Sequence, residues 1–153
     1  MAQGDVVVFD QFLVDALEGV HNLETDSIFC GLVNSSEVPA DTTADPHWGG
    51  TGTTNFFTTE VTPKTGNYTT GGNACANPAV ALNAGAAELD FDDPATWSQN
   101  VSNPTNARYG IIWNNTSTNK KCIAYVDLGS VFDMTTGDLT ITWGAPFATL
   151  DQV

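Results

Sequence analysis

The residues able to do chemistry are few and scattered. The two histidines, His21 and His47, stand far apart, and neither lies at metal-ligand spacing from a cysteine. A zinc centre needs three or four converging ligands, so no zinc site is predicted. Asp90, Asp92 and Asp93 form one acidic cluster, in Asp90-Phe91-Asp92-Asp93-Pro94. A calcium loop of the EF-hand type would continue with a glycine and close on a glutamate, and neither follows. The cluster is read as a turn. Gly49-Gly50-Thr51-Gly52 runs on into Thr and Asn, not into a helix that could receive a phosphate. No G-x-S-x-G elbow, Walker loop or dinucleotide fingerprint is present. With one arginine and three lysines, an anionic transition state would find few cationic partners. The sequence therefore predicts a protein that is not an enzyme and uses no cofactor or metal.

The elements that carry these residues are mostly strands. Phe9, Phe12, Leu13, Ala16, Leu17 and Val20 fall on one stripe at helical spacing, with Asp10, Gln11, Asp15 and Glu18 opposite. This predicts an N-terminal amphipathic helix, capped by Asp5 and ended by Gly19, with His21 following as a cation favoured by the helix dipole. The stripe is to be buried against the chain's own sheet or against a partner subunit. From Ser27 the period becomes two, and Ile28 to Val33 reads as a strand apolar on both faces. Asn34 to Thr54 is a long irregular stretch with Pro39, Pro46, Gly49, Gly50 and Gly52 around His47-Trp48. It is longer than an ordinary connection, which predicts an arm or partner-binding loop, the alternative being a disordered surface loop. Trp48 argues against disorder, because a large aromatic group calls for packing.

Further strands are expected at Phe56 to Val61, before the Gly71-Gly72 turn, at Val80 to Leu82 and at Ala86 to Phe91. The clearest are Arg108 to Trp113 and Cys122 to Leu128, joined by the polar loop Asn114 to Lys121, and the alternating Asp138 to Trp143. One helix with seven or eight short strands predicts a single mostly β domain over residues 1–153, a β-sandwich for which a jelly roll is one form.

Composition agrees with this reading. Only 14% of residues are charged, and polarity comes from Thr, Asn, Ser and Gly. Eighteen acids against four bases give a net charge of -14. That excludes nucleic acid and anionic membrane surfaces as partners, and favours either solubility alone or a basic protein partner. Cys30, Cys75 and Cys122 are odd in number and far apart, which predicts free and largely buried thiols. The N-terminus has no basic region with a small-residue cleavage site, so synthesis in a cytoplasm and a chain that stays soluble are expected. The sequons at Asn34, Asn67, Asn100, Asn114 and Asn115 are accordingly read as unmodified.

Several segments together resemble small structural proteins of tailed-bacteriophage virions. They are the opening helix Phe9 to Leu17, "GVHNLETDSIFCGLVNSS", "GNYTTGG" at Gly66 to Gly72, "ARYGIIWNNTS", "CIAYVDLGS" and "GDLTITW". The resemblance implies a capsid decoration or cement protein on the outside of the head. Its partner would be the major capsid protein, and it would form a homo-oligomer such as a trimer. Its mechanism would be adhesion, with many symmetric contacts adding through avidity. The N-terminal residues Ala2 to Val8, with Val6, Val7 and Val8 foremost, and the arm residues His47 and Trp48 are the candidate protein contacts. Burial in the domain's own core competes for Val6 to Val8. Two alternatives are a tail or fibre component that stacks exposed Trp and Tyr on host sugars, and a non-virion β-sandwich binding module.

Overall fold

Val6, Val7 and Val8 are three β-branched residues in a row, and they form a strand, not the approach to a helix. The computed structural model describes residues 4–151. In chain order the elements are β1 (Val6–Val8), α1 (Asp10–Leu17), β2 (Ile28–Val33), β3 (Pro46–His47) and β4 (Thr54–Asn55). A 3-10 helix (Phe56–Thr59) follows, then β5 (Asn73–Cys75), β6 (Ala79–Asn83), β7 (Ala86–Asp90), β8 (Ala107–Asn114), β9 (Cys122–Phe132) and β10 (Ala148–Leu150). The protein is mostly β, with several sheets and one α-helix among the described residues. A five-stranded antiparallel sheet has the order β1-β9-β8-β2-β5, and a three-stranded antiparallel sheet has the order β10-β7-β6. β3 and β4 make a short parallel pair.

The five-stranded sheet is buried on both faces, which is why β2 and β8 are apolar almost throughout. One face carries Ile28, Cys30, Leu32, Ile112, Ala124 and Val126. It packs on Phe12, Trp97, Met134, Leu139, Ile141 and Phe147, and the same core takes in Leu89 and Phe91 from β7 and the turn after it. The other face carries Val33, Tyr109, Ile111, Trp113, Cys122 and Tyr125, and packs on Phe9, Trp48 and Phe56. Between Ile112↔Ala124 and Trp113↔Cys122 the register slips by one residue. The slip is a bulge that puts Ile123 beside Ala124 on the first face while returning Cys122 to the second.

Several expectations are corrected. Phe9, not Asp5, occupies the cap position of α1, without a side-chain bond, because residues 6–8 are tied to β9. Gly19, at φ 72, does end the helix. The stripe is only partly buried: Phe12 is enclosed, Leu13 and Leu17 are exposed, and Asp15 is buried, bonded by Gln11 at 2.8 Å. Phe56 to Thr59 is a 3-10 turn, not a strand. Asp138 to Trp143 has the expected alternation, with Leu139 and Ile141 buried, but it pairs only at Leu139↔Trp97. Alternation reports which way side chains face, not whether a neighbouring strand exists. All three cysteines are free and buried.

The turn after α1 is tied to the sheet by buried polar groups. Asn114 at the end of β8 donates from Nδ2 to Asp26 Oδ2 at 2.6 Å and lies 2.9 Å from His21 Nδ1. Asn22 donates its N–H to the same Asp26 oxygen at 2.8 Å. Burial pushes the His21 imidazole below its usual 6.5, outweighing Asp15 and Asp26, so the ring is neutral and not the cation expected at a helix end. The unfolded chain then takes up a proton on His21 more readily than the native one. The contribution is whole above pH 6.5 and declines as pH falls below 6.5 through the lower native value. Denaturant titrations on either side of pH 6.5 should therefore show lower stability on the acid side, and His21→Gln should flatten that step. An unchanged step in the variant would assign it to another group.

Candidate functional site

Glycine in the middle of a buried apolar strand signals that something approaches the backbone closely. Gly31 of β2 is such a residue, and the visitor is Trp48. A Cβ on Gly31 would lie 2.4 Å from the Trp48 ring. The arm of residues 34–54 thus folds back over the sheet. Trp48 N–H donates to Lys120 C=O at 2.9 Å, His47 bridges to Lys121, and Lys121 forms an ion pair with Asp45. Trp48 is 3% exposed and His47 is equally enclosed, with its Nδ1 3.2 Å from Asp45 C=O. The structure therefore places both expected contact residues inside the chain's own packing.

Val6, Val7 and Val8 are half-buried in β1, an edge strand. Val7 packs on the Trp48 face, Val6 and Val8 on the opposite one. Ala2, expected with them, lies outside the described residues. Asp92 Oδ2 accepts from Asn77 Nδ2 at 2.7 Å, and Asp93 Oδ1 accepts from Trp143 N–H at 2.9 Å, so both carboxylates fasten loops. Among the described residues no three His, Cys, Asp or Glu side chains converge as metal ligands.

What the arm builds is a groove of about 410 Å³ on this face, walled by Phe29, Trp48, Phe57 and Trp113, with Thr70, Asn115 and Lys120 at its polar side. Trp48 and Trp113 stack with centroids 5.4 Å apart and planes 10° apart. Phe29 lies 5.5 Å from Trp113, and Phe57 meets Trp48 edge-on at 6.3 Å. Trp113 is locked by its Nε1–H, which donates to Gly71 C=O at 3.2 Å. The Gly71 N–H in turn donates to the buried Glu60, which also accepts from Tyr68 and pairs with Lys64. The walls are therefore held before anything binds, which lowers the ordering cost of a ligand.

Among the described residues, Lys120 is the one Lys or Arg side chain outside the three ion pairs. Its ammonium sits 5.5 Å from the Trp113 centroid and donates to Asn115 Oδ1 at 2.6 Å. Arginine and lysine are otherwise committed: Arg108 is forked onto Asp127, holding that carboxyl below its usual range. The site is thus apolar, aromatic and rigid, with the Lys120 ammonium at its polar side. It suits binding a flat or apolar group.

Phe29, Phe57, Trp113 and Lys120 are site residues that sequence reading did not single out. They come from β2, the 3-10 helix, β8 and the hairpin loop, so no spacing connects them. The only sequence signal was Gly31. No family model, curated protein or solved structure matches the chain.

Truncating a fully packed tryptophan costs about 3–5 kcal/mol. Trp48→Ala should lose that much in urea unfolding and should also abolish the Trp48–Trp113 exciton signal in circular dichroism. Gly31→Ala should weaken the same signal by displacing the ring. A Trp48→Ala protein as stable as the parent would show that the arm is not part of the core.

Proposed function

We propose that the chain is a virion structural protein of a tailed bacteriophage, a decoration or cement protein that binds the outside of the head and stabilises the shell by adhesion. The observation that carries this is where the large exposed side chains lie. In the β10-β7-β6 sheet, Leu82, Ala87 and Leu150 stand in one cross-strand row, all exposed. Leu82 is 81% and Leu150 53% exposed, and Leu17 of α1 is 89% exposed. Phe12, Ala16 and Leu23 cover the inner part of that sheet face and leave its outer end open. Aliphatic rows of this kind fit contact with another protein.

The resemblance of the strand and turn segments to small virion proteins supports the same reading. So does the net charge of -14, which draws the chain to a basic protein surface. The partner would be the major capsid protein, and the decorating unit a homo-oligomer such as a trimer. The architectural reading that goes with it is a jelly-roll-like β-sandwich, supported by the core that the five- and three-stranded sheets share.

A tail or fibre role in host recognition is the second reading, and the aromatic groove favours it. Against it, Trp48, Trp97, Trp113, Tyr68, Tyr109 and Tyr125 are buried, and the half-buried Trp143 is committed to Phe91 and Phe147, with its Nε1–H donating to Phe91 C=O at 3.0 Å.

The deciding experiment is a cryo-electron microscopy map of purified particles, with copy number from quantitative mass spectrometry. We expect regular density on the capsid exterior in copies matching the lattice. Density in a few copies at the tail would transfer the chain to the second reading, and its absence from the particle would overturn both.

A further inference from the structure

β6 is the outer strand of the three-stranded sheet, and all five of its residues are exposed. It reaches β7 through Ala84-Gly85, with φ of 49° and 94°. Two positive values in a two-residue connection define a type I′ turn, which is matched to the twist of a tight hairpin. The turn also sets the phase of the ladder. Asn83 and Ala86 flank it and form a hydrogen-bonded pair, and so do Ala81↔Glu88 and Ala79↔Asp90 at steps of two. Val80 and Leu82 therefore direct their N–H and C=O groups away from β7, along the open edge. The residues with outward backbone groups are the ones with exposed apolar side chains, Val80 at 41% and Leu82 at 81%.

Strand edges left open in solution are usually blunted by lysine, proline or a bulge. β6 has no charged residue and no proline, and its register with β7 is unbroken. Indeed no charged residue occurs between Lys64 and Glu88, in a chain of net charge -14. The β6 backbone edge carries no charge with which a basic partner could form an ion pair. A second copy is repelled everywhere except where charge is missing.

We propose that β6 is a docking strand for a second copy of this chain, the two strands pairing antiparallel about a two-fold axis at Ala81. In this register Val80 faces Leu82 of the partner subunit and Leu82 faces Val80 of the partner subunit. Each pair exchanges two backbone hydrogen bonds, and Ala81 meets its own copy on the axis. The short run Val80-Ala81-Leu82 is self-complementary in size and polarity. The nearest acid, Glu88, is held by Asn83 at 3.0 Å. It would lie three strand spacings, about 14 Å, from its copy. That exceeds the screening length of about 8 Å at physiological salt. The two three-stranded sheets become one of six strands, and the exposed row of Leu82, Ala87 and Leu150 continues across the axis. This inference does not rest on the virion reading, and it differs from the trimer named there in making the isolated chain a two-fold dimer.

The test is sedimentation velocity of the full chain over a wide concentration range, with amide hydrogen exchange at the dilute and concentrated ends. The expected result is a species of twice the 16.2 kDa chain mass. The Val80 and Leu82 amides should slow on concentration, while the β1 and β5 amides do not. Leu82→Glu places a charge on the pairing edge, and Leu82→Pro removes an outward N–H that β7 does not use. Each should weaken the dimer about tenfold or more. Circular dichroism checks folding, and Leu82→Glu decides alone if the proline variant misfolds. A wild-type chain that stays monomeric overturns the proposal. So does a trimer, a dimer indifferent to Leu82→Glu, or protection that appears at β1 instead.

Discussion

A sheet whose central strands are apolar on both faces has to be covered twice, and the described residues offer one short α-helix to do it with. β2, β8 and the first half of β9 present Ile28, Cys30, Leu32, Ile112 and Val126 to one side and Val33, Tyr109, Ile111 and Tyr125 to the other. Leaving either side wet would forfeit roughly 1.5–3 kcal/mol for each large side chain. The covers are therefore made from irregular chain. Residues 34–60 close one face through Trp48 and Phe56, and the segments 97–106 and 133–147 close much of the other through Trp97, Met134, Leu139, Ile141 and Phe147.

Irregular covers bring unsatisfied backbone with them, and the polar residues answer that need. Asn103 shows the pattern: its Oδ1 accepts from Asn67 N–H at 2.7 Å, while its Nδ2 donates to Ser98 and Met134 carbonyls. Asn55, Asn100 and Asn114 do similar work at other turns. The high Thr and Asn content is thus a consequence of covering a sheet with loops. The few cations serve the same end. Lys121 ties the arm to the β8–β9 hairpin through Asp45, and Lys64 partners the buried Glu60 under the Gly71 turn. Exposed ion pairs contribute little, but a buried carboxylate that loses its partner is costly, so the Lys64 pair matters more than its surface position suggests.

This division explains what could be read from the sequence. β2 was readable residue for residue, because Ile28 to Val33 is continuous, apolar and bounded by polar turns. β8 is legible to within one residue at each end, β9 from its start but not to its end at Phe132, four residues past Leu128, and the buried state of Cys30 and Cys122 is legible too. The start of α1 was misread because Phe9 fits a helical stripe and also the sheet cover, and only the pairing of Val6 to Val8 with β9 separates the two. Leu13 and Leu17 fit the stripe by spacing but reach past the edge of what the helix covers. The groove was invisible because its walls lie as far apart as Phe29 and Trp113, and it exists only once the arm has closed on Gly31.

The three buried thiols have a consequence for how the protein is handled. Burial raises all three, Cys30 to about 12, so the reactive thiolate is scarce in the native protein. An oxidant or alkylating reagent must wait for the chain to open. The covalent structure therefore stays the same when the protein passes from reducing to oxidising surroundings. The rate at which a thiol reagent is consumed becomes a clock for global opening, with each of the three sulfurs timing a different part of the sheet.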